Sequence, residues 1–191
     1  EETQDKLFDL AEEYFGDKVS LLLCNAGRGL GGAVSTADLS EFEAMIKLNL
    51  TSTLRLMQKS AQYLINRLNS HPFPEYSADI VVIGSVVGRN VSPFSAVYGS
   101  SKFAIHSLTE GLRRELGPKG IRVSLIEPAF VISGFQKVAG YSEEMVNGIT
   151  EKYGPLLVPE NIADSIDFII TQPASVHISD IMIRPTRQDY P

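Results

Sequence analysis

Short apolar runs that alternate with long helical patterns constrain this chain more than any other feature. Residues 19–23 (VSLLL), 78–85 (ADIVVIGS) and 121–128 (IRVSLIEP) each read as a buried strand, and a fourth lies near 177–183. Between them apolar residues recur at helical spacing. Leu7, Leu10, Ala11 and Phe15 mark a first helix that Gly16 ends; residues 39–68 and 96–116 form two long helices, and 161–170 a last one. Asp38 or Ser40 can cap helix 39–68, and polar Asn49, Thr51, Ser52 and Thr53 interrupt its middle. Strands joined through helices of this length run parallel, because an antiparallel neighbour needs only a tight turn. The expected fold is α/β: a parallel sheet with helices on both faces, in three layers. Ligands of such sheets sit at the carboxyl ends of the strands, here residues 25–32, 85–95 and 128–153.

With 191 residues, 43% of them hydrophobic and 21% charged, the chain suits one globular domain over 1–191. A net charge of −6 and the lack of any basic run argue against nucleic acid or an anionic membrane surface as partner. No apolar stretch is long enough to span a bilayer, and the opening EETQDKLFDLAEE is acidic and amphipathic, unlike a signal peptide, so a cytoplasmic location is expected. Cys24 is the one cysteine, which excludes an internal disulfide and a cysteine-based metal cluster. His71, His106 and His177 lie far apart in sequence, and no metal site is expected.

The stretch CNAGRGLGG, from Cys24 to Gly32, spells G-x-G-x-x-G after an apolar run. A dinucleotide fingerprint requires its last glycine to open a helix that holds the pyrophosphate. Here helical periodicity resumes only near Leu39, and no strand with a terminal acidic residue follows about 20 positions on. The stretch reads instead as a strand-end loop whose glycines permit a close approach.

Tyr98 and Lys102 are four apart on helix 96–116, so both project from one face. A lysine ammonium beside a phenol favours phenolate and lowers a pKa that starts near ~10. Ser85, thirteen residues before Tyr98 and at a strand end, adds a hydroxyl that can hydrogen-bond a substrate oxygen. A serine hydrolase fits less well: IGSVVG is not G-x-S-x-G, and His106 has no evident acidic partner.

With these residues in place, the chain resembles the short-chain dehydrogenase/reductase family along nearly its whole length. Asn25-Ala26-Gly27 matches the family's N-A-G motif and Leu48-Asn49-Leu50 its helix asparagine. Gly84-Ser85 matches the catalytic serine, Tyr98 to Lys102 (YGSSK) the catalytic tyrosine and lysine, and Pro128 to Ser133 (PAFVIS) the P-G-x-V-x-T segment. The resemblance implies a Rossmann-like doubly wound sheet and hydride transfer between nicotinamide and a small carbonyl or alcohol substrate. Tyr98 would be the acid or base, Lys102 would lower its pKa and hold the nicotinamide ribose, Ser85 would steady the substrate oxygen, and Asn49 would hold a proton-relaying water. Asn25, Ala26, Gly27, Pro128, Val131 and Ser133 would join Tyr98 and Lys102 in binding NADP or NAD, with NADP ahead. The family also implies a homodimer or homotetramer built through helices 39–68 and 96–116. Two departures stand out. Ala129 replaces the family's glycine, and the phosphate motif T-G-x-x-x-G-x-G is absent from residues 1–191. The chain then corresponds to the C-terminal portion of such a fold, lacking its first three strands. Two alternatives stay open: a non-catalytic binding or assembly module derived from the fold, and an epimerase or dehydratase that also uses Y-x-x-x-K.

Overall fold

The computed structural model of the chain describes residues 2–191. Helix α1 (Glu2–Phe15) ends where Gly16 takes a left-handed φ of 55°. Strand β1 (Leu21–Cys24) leads through the glycine loop to α2 (Leu39–Ile46), whose first turn is capped by the Asp38 carboxylate accepting from the Ser40 and Glu41 N–H groups. The expected continuous helix 39–68 is in fact two. A six-residue π-helical segment, Lys47–Ser52, separates α2 from α3 (Thr53–Leu68), and it falls on the polar interruption around Asn49. Then follow β2 (Ala78–Ile83), α4 (Ala96–Leu116), β3 (Ile121–Pro128), the short α5 (Phe135–Val138), α6 (Glu143–Tyr153), α7 (Pro159–Ile170) and β4 (Asp180–Ile183).

The four strands form one sheet in the order β1-β2-β3-β4, every pair parallel, with Ile80 opposite Val123 and Leu125 opposite Asp180. Side chains alternate across it. Ala78, Ile80 and Val82 of β2 and Ile121, Val123 and Leu125 of β3 pack on Met57, Ala61, Leu64, Ile105 and Leu116 of α3 and α4. Val81 and Ile126 point the other way, onto Ile162, Ile166 and Ile169 of α7. This two-faced core gives the three layers expected from the strand and helix pattern.

On the α7 face, Asp79 and Arg122 are register partners, joined by two hydrogen bonds of 2.8 Å. The same guanidinium donates to the carbonyls of Ile170, Gln172 and Val176, tying the end of α7 to the sheet. That satisfies a buried cation which would otherwise be costly. The opposite, carboxyl ends of the strands stay open, and there the loops after β1, β2 and β3 meet.

Candidate active site

Each strand end delivers one part of the site. After β2 the chain runs Gly84-Ser85 into a single tight turn, Val86–Gly88, before entering α4. The Ser85 hydroxyl's backbone contacts are long, accepting from the Val87 N–H at 3.4 Å and donating to the Pro128 carbonyl at 3.5 Å, and it also interacts with the Tyr98 phenol. It therefore keeps capacity for a ligand. On α4, Tyr98 and Lys102 stand one turn apart, with Lys102 Nζ 5.8 Å from the centre of the Tyr98 ring. The Lys102 ammonium donates to the Ile83 carbonyl at 2.9 Å, so it sits over the end of β2 beside Ser85. Tyr98 also packs its ring against Phe135 of α5, the centroids 5.6 Å apart.

The electrostatics differ from the sequence argument, which has Lys102 drawing the Tyr98 phenol down. Burial dominates: it holds the phenol above its ordinary range, Ser85 opposing this and Tyr141 adding to it. Burial also pushes the Lys102 ammonium down to about 8. With its Nζ committed to the Ile83 carbonyl, Lys102 does not offset the desolvation of the phenol.

Ser85, Tyr98 and Lys102 line a cleft of about 1720 Å³, together with Asn25, Gly27, Pro128, Val131 and Ser133. Such a volume exceeds the ~300–1,000 Å³ of ordinary small-molecule pockets and accommodates a dinucleotide beside a substrate. Ala26, exposed between Asn25 and Gly27, is not part of this lining. Ser133 Oγ accepts from the Phe135 N–H and so starts α5, keeping its own proton for a ligand. The Val131 carbonyl is taken by the Gln136 amide at 2.6 Å. The cleft lining also carries Phe130, Phe135, Tyr141, Met145 and Tyr153.

Asn49 lies outside the cleft lining and is buried. Its amide oxygen accepts from the Arg28 N–H at 2.8 Å, and its amide nitrogen donates to the Arg28 carbonyl at 2.8 Å and to Ser101 Oγ at 3.2 Å. The π-helical segment thus fixes the glycine loop and reaches α4 through Ser101, whose hydroxyl donates to the Tyr98 carbonyl. The glycines of that loop do not open a helix. Gly29 is buried where a Cβ would lie 2.5 Å from Phe135 Cζ, so its role is the close approach of α5.

Three features escape a reading by motif. Glu127, fully buried in β3, faces His106, which corrects the view that this histidine has no acidic partner. Its Nε2, however, takes the backbone N–H of Ser85 at 3.3 Å, so it is not poised as the base of a serine nucleophile. The chain's last segment also enters the cleft lining: Gln188 accepts from the Phe130 N–H at 3.2 Å, and Tyr190 donates to the Val91 carbonyl. The carboxylate inside an apolar strand was the one visible signal; its partners come from other elements.

No helix among the described residues is long and apolar enough to cross a membrane. The family profile described as short chain dehydrogenase matches residues 1–144. An uncharacterized oxidoreductase of Staphylococcus epidermidis is 27% identical over 181 residues, spanning 95% of this chain and 70% of its own length. Another, from Staphylococcus aureus, is 27% identical over 188 residues, spanning 96% and 71%. Among solved structures, the closed form of serine dehydrogenase complexed with NADP+ superposes with a TM-score of 0.77 at 25% identity, covering 98% of this chain and 74% of that one. An alcohol dehydrogenase from Thermococcus sibiricus complexed with 5-hydroxy-NADP shares the fold, with a TM-score of 0.80 at 22% identity over 100% and 72% of the two chains. Sequence profile, curated oxidoreductase relatives and fold agree with one another, and the chain belongs to the short-chain dehydrogenase family.

Proposed function

We propose that the protein transfers hydride between a nicotinamide dinucleotide, NADP or NAD, and a small carbonyl or alcohol substrate, with Tyr98 as proton donor or acceptor. The observation that carries this reading is the convergence of Ser85, Tyr98 and Lys102 on one large cleft at the carboxyl ends of parallel strands. The lining fits the group: Gly27 and Asn25 leave the β1 end open, and Ser133 Oγ and Lys102 Nζ offer donors along the cleft. When bound, the dinucleotide supplies or takes the hydride. In reduction, the Ser85 hydroxyl donates a hydrogen bond to the substrate carbonyl oxygen. The Tyr98 phenol gives that same oxygen its proton as the carbon gains hydride, leaving an alcohol and a phenolate, with the Lys102 ammonium 5.8 Å from the ring centre. In oxidation the phenolate takes the alcohol proton back.

The aromatic and aliphatic lining favours a substrate with an apolar body around the reacting carbonyl. Strand β1 forms an open edge of the sheet, with an apolar groove of about 480 Å³ between it and α1.

The test is a reduction and oxidation screen of the full-length protein with NADPH, NADH and their oxidised forms against aldehydes, ketones and secondary alcohols. Carbonyl-dependent cofactor turnover is the expected result. Tyr98→Phe should lower kcat by at least ~10²-fold with cofactor affinity nearly intact, because it removes a proton and almost no volume. Retention of more than about a tenth of the activity would overturn the assignment.

A further inference from the structure

Ser85 is held from behind by groups that no motif identifies. Alternation along β3 turns Glu127 toward α4, on the face of Val123 and Leu125. Its carboxylate is wholly buried: Oε2 accepts from Arg89 Nε at 2.6 Å, while Oε1 has no partner among the described residues. His106, one turn beyond Lys102, stands between this carboxylate and the Ser85 turn. Its Nδ1 is 3.7 Å from Glu127 Oε2, and its Nε2 accepts from the Ser85 backbone N–H at 3.3 Å.

That pairing fixes the tautomer. A ring nitrogen accepts a hydrogen bond only when it carries no proton, so the neutral imidazole holds its proton on Nδ1, directed at Glu127. Burial, with Arg89 and Lys102 nearby, keeps the ring neutral by lowering its pKa to about 4. Space for the ring is also built in. A Cβ at Gly84 would lie 2.4 Å from Nε2, and one at Gly88 2.3 Å from Cε1, so both glycines bounding the Ser85 turn are cut back around the imidazole. Neither glycine has a positive φ, so it is room, not backbone freedom, that they supply. The Ser85 hydroxyl's contacts with the backbone are long, 3.4 and 3.5 Å, so where it stands depends on the backbone of its own turn.

We propose that His106 is a positioning residue: seated in the space left by Gly84 and Gly88, it accepts the Ser85 N–H and thereby sets where the Ser85 hydroxyl stands in the cleft. The inference rests on the reading of Ser85 as donor to the substrate oxygen. It extends the machinery to a residue outside the cleft lining. Glu127→Gln, which removes the charge but keeps the shape, should weaken the orientation less than loss of the imidazole does.

The experiment compares His106→Leu, which fills space without an acceptor, with His106→Gln, whose amide oxygen can accept from the Ser85 N–H, in the full-length protein. Amide hydrogen exchange at Ser85, measured against the sheet amides of Ile80 and Val123, needs no substrate. His106→Leu should speed exchange at Ser85 by about tenfold while leaving the sheet amides unchanged, since one hydrogen bond is lost. With a carbonyl that the wild type reduces, its kcat should fall about 10- to 100-fold through misplacement of Ser85. Cofactor affinity should hold, and His106→Gln should recover both readouts. Unchanged exchange at Ser85 in His106→Leu, or a glutamine variant no better than leucine, overturns the proposal. If the leucine variant does not fold, nitrogen NMR of the wild-type imidazole decides: a protonated Nε2 at neutral pH excludes the role. Tyr98→Phe is the parallel control. If it keeps turnover, the oxidoreductase reading fails; if it loses turnover while His106→Leu keeps it, only the positioning role fails.

Discussion

Tyr98 meets the cleft with its proton on, because burial outweighs every stabilisation of its phenolate that the folded chain offers. A phenol in that state carries its proton at neutral pH but gives it up less readily than a free phenol, whereas the nearby Lys102, at about 8, is still mostly a cation there. His106 shows the same force acting on a base: an imidazole that would titrate near 6.5 is pushed to about 4. The stability consequence has a definite sign. Between those two values the unfolded chain takes up a proton that the folded chain refuses, so lowering the pH from about 6.5 to about 4 favours unfolding, and above about 6.5 the group contributes no pH dependence. Denaturant midpoints measured across this window should fall with pH in the wild type, and more shallowly in His106→Gln. Burial lowers His177 as well and raises the Asp79 carboxyl, which act in opposite directions in this window, so the difference between the two proteins, not the residual slope, reports His106. Identical slopes in the two proteins would mean that His106 is not titrating as the fold requires.

At the scale of elements, the π-helical segment Lys47–Ser52 does the most to shape the site from outside it. Such segments widen the helix by one residue per turn, and here the widened turn sends Asn49 to pair with both backbone groups of Arg28. Asn49→Ala leaves an N–H and a carbonyl of the glycine loop without these partners, and should lower unfolding free energy by about 1–3 kcal/mol. Asn49→Asp should also destabilise, because a carboxylate cannot donate to the Arg28 carbonyl; chemical denaturation of both variants checks this. The sequence showed a polar break in the helix but not its form, since propensity marks where a helix is weak and tertiary pairing decides how it yields. Helix α4 was legible to its end residues, because apolar spacing runs along it and the Gly117-Pro118 stop follows its last residue directly. The sequence pattern assigns no element to residues 128–153, a stretch that contains α5 and α6. Helix α5 is only four residues long and owes its place to the Tyr98 ring and Gly29, contacts that local pattern does not contain. Ser85, Tyr98 and Lys102 could be named from spacing, but Glu127 and Gln188 meet their partners only through the strand order and the fold of the last segment.

For the whole molecule the two faces of the sheet are unequal. Helices α3 and α4 cover one face through a large core, and α7 alone covers much of the other. On the helices of the first face, apolar side chains still remain in water: Leu48 at 36%, Leu54 at 37% and Phe103 at 41% of their full exposure. Single exposed apolar residues need no explanation, but three on adjoining segments of the same layer favour a further partner. A second copy of the same protein suits them, because a two-fold pairing would place the same apolar surface on both sides of the contact. We therefore expect a homodimer or homotetramer through residues 39–68 and 96–116. Sedimentation equilibrium of the full-length protein should give a mass above that of one chain. Leu54→Glu combined with Phe103→Glu should shift it toward monomer, since a carboxylate buried in a symmetric contact faces its own copy. The substituted side chains are already partly exposed in one chain, so its secondary structure should persist and its far-ultraviolet circular dichroism should match the wild type. A wild-type protein that sediments as one chain at every concentration would show that this surface meets only water, and the exposed phenylalanine and leucines would then have no explanation in assembly.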